Sequence, residues 1–226
     1  MKKTVLLFLT FFLLLSVSIH ADGVDPLLDQ ADITITVTDD NGYYVEEVIT
    51  ISNSSSLDGV INHSLVDADM VSDLTFTANG EALDYQLNEG EVLDKLEVTV
   101  ADVSTDNLQY VIGYSVHSSE GEFKTPIVVP MYPTAGESAV VNVNFVAPEG
   151  NYIHKNSFPV QNETAEGEVT NHLINVPSHV NYIYGPEPTP LFNSYSVISG
   201  IIFVVLVGIL VSWFRAERKK EMEVAA

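Results

Sequence analysis

The chain has 226 residues, with 9 Lys+Arg against 31 Asp+Glu, a formal net charge of −22 and no Cys. Without Cys there is no disulfide scaffold, zinc–thiolate site, Fe–S cluster, c-type haem attachment or lipid-modified cysteine. The acid excess argues against nucleic-acid binding, which draws its affinity from Lys and Arg on phosphates; the length suits one domain or two small ones.

Residues 1–21 read as a secretory signal peptide. Lys2 and Lys3 supply the charged start, Val5 to Leu15 is apolar apart from Thr10, and Ser16 to Ala21 turns small and polar. Cleavage after Ala21 is expected, with Ile19 and Ala21 at the two recognition positions. The apolar run is too short for a membrane span, which needs about 20 residues.

Residues 22–118 alternate at period 2 and predict a β-sandwich domain. Ile33, Ile35 and Val37 alternate with Thr34, Thr36 and Thr38, a strand with one buried face. Asp39-Asp40-Asn41-Gly42 is a turn signal, and Tyr43 to Ile51 continues as the second arm of a hairpin. Further strands are expected at Val60 to Val66, Leu74 to Ala78, Glu81 to Leu87, Leu93 to Val100 and Leu108 to Val116, with a turn at Asn79-Gly80. Short strands at this spacing suit an immunoglobulin- or fibronectin-like sandwich.

Residues 119–184 predict a second β subdomain packed on the first. Candidate strands are Ile127 to Val129, Ala139 to Ala147, Glu168 to Val176 and Val180 to Tyr184, with prolines at run ends. Residues 185–195 read as a Pro-rich stalk, because Pro186, Pro188 and Pro190 alternate and favour extended polyproline II.

Residues 196–214 predict a transmembrane helix. Val197 to Phe214 contains no charge, and at 1.5 Å per residue it reaches about 27 Å. Tyr195 and Trp213 flank it, and Arg215, Arg218, Lys219 and Lys220 follow in the short basic tail, residues 215–226. By the positive-inside rule that tail is cytoplasmic and the N-terminal domain lies across the membrane. The layout resembles Gram-positive wall-sorting signals. Those need an LPxTG-type motif before the span, and Pro188-Thr189-Pro190-Leu191-Phe192-Asn193 does not match, so the helix is expected to be retained.

Between residues 22 and 195 stand three Lys, no Arg and 28 carboxylates, a net charge of −25. Such a surface repels anions and attracts basic proteins, metal cations or protons; it also suits solubility in salty or alkaline surroundings. Asp67, Asp69 and Asp73, with Asp58 nearby, are weak candidate Ca²⁺ ligands, although Val71 and Ser72 break the EF-hand pattern. His63, His117, His154, His172 and His179 show no i, i+2 or i, i+4 pairing that would point to zinc or copper. Gly113-Tyr114-Ser115-Val116-His117 looks briefly like a nucleophile elbow, but His117 replaces the second Gly, and alternating strand is the better reading.

In the predicted span, Ser196, Gly200, Gly208 and Ser212 are small residues at multiples of four, a spacing that lets a second helix approach. They are candidates for homodimerisation or docking on a partner's helix. The expected function is that of a membrane-anchored, extracytoplasmic β protein, not an enzyme and without cofactor, that binds or scaffolds another surface or membrane protein. A Ca²⁺-responsive module is the alternative, and a hydrolase or metalloenzyme the third reading.

Overall fold

The computed structural model describes residues 25–38, 42–101, 106–117, 124–134, 140–188 and 194–224. The signal peptide, the Asp39–Asn41 turn and residues 189–193 of the stalk lie outside them. The chain divides into two units, residues 1–186 and 187–226.

The described residues of the first unit are mostly β-strands, with single 3-10 turns at Ser54–Ser56 and Ala68–Met70. Its seven-stranded sheet runs β14 (Glu168–Leu173), β11 (Val141–Val146), β1 (Leu27–Val37), β2 (Tyr43–Ser52), β8 (Asn107–Val116), β4 (Val71–Ala78) and β5 (Glu81–Ala82). All pairings are antiparallel except β1 with β11, which is parallel, Ala31 facing Val141 and Ile35 facing Phe145. One sheet thus carries strands from both halves of the body. A four-stranded sheet runs β10 (Val129–Pro130), β3 (Val60–Leu65), β7 (Asp94–Thr99) and β6 (Tyr85–Asn88). Two smaller ladders join β13 (Ala165–Glu166), β12 (Tyr152–Ile153) and β16 (Tyr184–Gly185), and β15 (His179–Asn181) with β9 (Lys124–Pro126).

Alternation decides which side chains enter the core. On β2, Tyr43, Val45, Ile49 and Ile51 are buried while Tyr44 and Glu46 are exposed. On β8, Leu108, Tyr110, Ile112, Tyr114 and Val116 are buried, and β1 and β11 add Ile33, Ile35, Val143 and Phe145. Ile61, Leu65, Leu96 and Val98 of the four-stranded sheet join the same core. Asn79 and Gly80 link β4 to β5 with φ of 53° and 81°, a two-residue turn with both centres left-handed, where Asn and Gly cost least.

The run Ile127 to Val129, expected as a strand, is divided: β9 ends at Pro126, β10 begins at Val129, and Ile127 and Val128 between them are fully buried outside any ladder. A short apolar run marks burial, and burial alone does not require a paired neighbour.

The described residues of the second unit hold one helix, α1 (Ser194–Val224). Ser196–Arg215 within it has a mean hydropathy of 2.7 and none of it is buried. This stretch is long and apolar enough to cross a membrane. The helix continues past it from Ala216 to Val224, a segment that before its final Val holds only Ala, Glu, Arg, Lys and Met, all strong helix formers.

Candidate functional site

The least ordinary chemistry of the body lies inside its core. Glu47 stands on β2 at a position that alternation sends inward, and it is fully buried. Its cross-strand neighbours are Ile33 on β1 and Ile112 on β8, and Val45 and Ile49 flank it on its own face. Two groups reach its Oε1: the Tyr114 hydroxyl at 2.6 Å and the Val128 N–H, which donates at 2.9 Å. Oε2 has no hydrogen-bond partner among the described residues. Desolvation dominates here, and the carboxyl is pushed up to about 8 against the lowering effect of those two contacts.

One turn of the pleat away, the second polar pair is His63 on β3 and Tyr110 on β8. His63 Nε2 and the Tyr110 hydroxyl share a 2.7 Å hydrogen bond, and the rings meet edge-on with centroids 5.5 Å apart. His63 is fully buried, also packs on Phe76, and leaves Nδ1 without a partner among the described residues. Burial depresses the imidazole to about 3, so it is neutral at any ordinary pH. Burial likewise raises Tyr110 and Tyr114 well above the usual phenol range, with Glu47 adding to both. Tyr110 and Tyr114 are thus hydrogen-bonding groups, not titrating ones, near neutrality.

The acidic candidates are placed differently. Asp67 and Asp69 line an open cleft of about 480 Å³ together with Glu89, Glu91, Asp94 and the side chains of Leu87 and Val92. Asp67 is engaged by Lys124. Asp73 does not line that cleft; it sits in β4, in the left-handed region at φ 54°, where the register with β8 shifts between Ser72 and Thr75. Among the described residues no three His, Asp or Glu side chains form a group able to hold a metal ion.

The other histidines stay dispersed. His117 contacts Ser72 at 2.9 Å, His172 contacts Asn142 at 2.7 Å, and His179 packs on Phe158 with centroids 5.6 Å apart. Gly113 to Val116 lie within β8, as the alternation implied.

On α1, a Cβ added at Gly200 or Gly208 would meet open space, and the Ser212 hydroxyl donates to the Ile209 carbonyl within the helix at 2.8 Å. On a 3.6-residue helix each four-residue step drifts by about 40°, so the small residues follow an oblique ridge, not a straight face. Oblique ridges of this kind suit close, right-handed helix crossings.

The sequence singles out neither Glu47 nor Tyr110, offers Tyr114 only within the rejected nucleophile elbow, and offers His63 only as one of five histidines without metal-type pairing. The signal was present in the alternation. Val45-x-Glu47-x-Ile49 and Ile61-x-His63-x-Leu65 each put a polar group on an apolar stripe.

No family model matches the chain, and no curated protein matches it. Among solved structures it is similar to native yeast LTA4 hydrolase, at 9% identity and TM-score 0.44 over 71% of this chain and 29% of that one. It is also similar to an M1 zinc metallopeptidase from Deinococcus radiodurans, at 14% identity and TM-score 0.38 over 71% of this chain and 42% of that one. The chain spans less than half the length of either, and the likeness is too slight to carry chemistry from them to this chain.

Proposed function

We propose that the chain is a non-enzymatic, single-pass membrane protein whose β body lies on the outer side of the cell membrane and binds or scaffolds another surface or membrane protein. The observation that carries this reading is the Ser196–Arg215 stretch, apolar at a mean hydropathy of 2.7 with no part of it buried. Thirteen of its twenty residues are Val, Ile, Leu or Phe, and such unburied apolar surface is costly in water and favourable in lipid. Arg215, Arg218, Lys219 and Lys220 support a cytoplasmic C-terminus. A leader cleaved after Ala21 completes the topology. An immunoglobulin- or fibronectin-like sandwich is the finer reading of the body. It is supported by the four-stranded sheet meeting the seven-stranded one through His63, Tyr110 and Phe76.

Protease added to intact cells tests the topology. Residues 22–195 should be digested while a C-terminal epitope stays protected in the membrane fraction. Recovery of full-length chain from the cytosol would overturn the reading.

The cleft beside Asp67 and Asp69 favours a second reading, a cation-responsive module, because five carboxylates line it. Titrating the protein with CaCl₂ and with NaCl at matched ionic strength separates the two. A rise in melting temperature specific to Ca²⁺ supports the cation module, and equal rises leave only charge screening.

A further inference from the structure

We propose that the Glu47 carboxyl is a proton-operated latch, closing the segment Lys124–Pro130 onto the seven-stranded sheet when protonated and releasing it when ionised.

The segment is a strap. Its ends are held by short ladders, β9 against β15 and β10 against β3. Its middle, Ile127 and Val128, is fully buried, yet no ladder ties it to β2 or β8 beneath. Two polar contacts make that connection. The Val128 N–H donates to Glu47 Oε1 at 2.9 Å, and the Tyr114 hydroxyl stands 3.0 Å from the Pro126 carbonyl.

Counting hydrogens shows why the proton matters. The Tyr114 hydroxyl lies within reach of two acceptors, Glu47 Oε1 at 2.6 Å and the Pro126 carbonyl at 3.0 Å, but it has one hydrogen. An ionised Glu47 claims that hydrogen and leaves the Pro126 carbonyl without it. A Glu47 protonated on Oε1 donates to the Tyr114 oxygen instead. Tyr114 then donates to Pro126, and Oε1 still accepts from Val128. The added proton therefore completes a chain from β2 through β8 to the strap. It also removes a charge whose second oxygen has no partner among the described residues.

The groups facing Glu47 do not supply a compensating positive charge. From β1 and β8 come Ile33 and Ile112, and from β8 the phenols Tyr110 and Tyr114. From the strap comes the backbone N–H of Val128. The buried imidazole of the same core, His63 on β3, is engaged with Tyr110 and held neutral by burial. The raised carboxyl value of about 8 agrees with this geometry.

Residue-resolved hydrogen exchange on the full chain in micelles tests the latch, with rates corrected for intrinsic pH dependence. A carboxyl near 8 when closed and near its ordinary value when open makes opening about tenfold more favourable per pH unit between those values. Protection of the Val128 amide should fall about tenfold per unit from pH 5 to 8 and level off above. It should lie well below the protection of Ile33 and Ile35 in β1. Glu47→Gln, which keeps the shape and cannot ionise, should remove the slope. A slope that persists in Glu47→Gln overturns the proposal, as does equal protection of Val128 and β1 at every pH. Should that variant fail to fold, infrared spectroscopy of the wild-type protein decides. A carboxylic-acid carbonyl band present at pH 6.5, when ordinary carboxylates are ionised, and lost by pH 10 supports the latch; its absence at pH 6.5 overturns it.

Discussion

His63 and Glu47 pull stability in opposite directions with pH. His63 is held neutral, with its folded value lowered from 6.5 to about 3. Its contribution is therefore complete above pH 6.5 and lost as pH falls toward 3, at about 1.4 kcal/mol per unit. Glu47 is raised from 4.5 to about 8, so its contribution is complete below 4.5 and lost as pH rises to 8. Between pH 6.5 and 4.5 the two slopes nearly cancel. Wild-type unfolding free energy, measured in urea, should be nearly flat there relative to its rise from pH 8 to 6.5. His63→Gln should expose the Glu47 slope and gain up to about 3 kcal/mol, relative to wild type, on going from pH 6.5 to 4.5. Glu47→Gln should expose the opposite slope over the same range. Parallel profiles in all three proteins would show that neither group titrates between the folded and unfolded states. These residues were legible in part. Alternation places Glu47 and His63 inward, but Glu46 lies beside Glu47, and a register slip of one residue would exchange them. Only the buried positions of Val45 and Ile49 on the same face settle which glutamate enters the core.

Elements with a strong period were readable from the sequence: β2, β3 and β8 lie within a residue or two of where alternation puts them. The two-residue strands β12 and β13 have no period to read. The parallel pairing of β1 with β11 joins segments about 110 residues apart, and no local pattern encodes it. Its packing centres on Phe145. The ring stacks on Tyr182 with centroids 4.5 Å apart and planes 15° from parallel, and also meets Tyr43 and Tyr184. Phe145→Ala should cost about 3–5 kcal/mol in urea unfolding, because three aromatic neighbours cannot all collapse into the space. Phe145→Leu, which keeps most of the volume, should cost less than half as much. Equal losses would mean that the stacking geometry, not the filled volume, sets the stability. In α1 the corresponding element is the oblique ridge through Ser196, Gly200, Gly208 and Ser212. Replacing Gly200 and Gly208 together by Leu fills the space a second helix would need, and should reduce self-association in a membrane two-hybrid assay several-fold. An unchanged signal would show that any partner uses another face.

At the scale of the whole molecule the dominant quantity is charge. Three Lys and 28 carboxylates between residues 22 and 195 leave a net charge of −25, and among the described residues Glu47 is the only buried carboxylate. The other described carboxylates of the body therefore lie at least partly in solvent, where they repel one another across a compact body and less so in an expanded chain. Salt shortens the reach of that repulsion from about 30 Å at 0.01 M to about 3 Å at 1 M. The folded body should gain several degrees of melting temperature over that range of NaCl, with most of the gain below about 0.2 M, where the screening length falls through typical distances between surface charges. Glu47→Gln should gain as much as wild type, since its site is shielded from solvent ions. A melting temperature that falls with NaCl would mean that attractive pairs such as Lys124 with Asp67 outweigh the repulsion. That outcome would remove the physical basis for reading this surface as an attractor of cations and basic partners, because a surface whose local field is already neutralised has no long-range pull to offer.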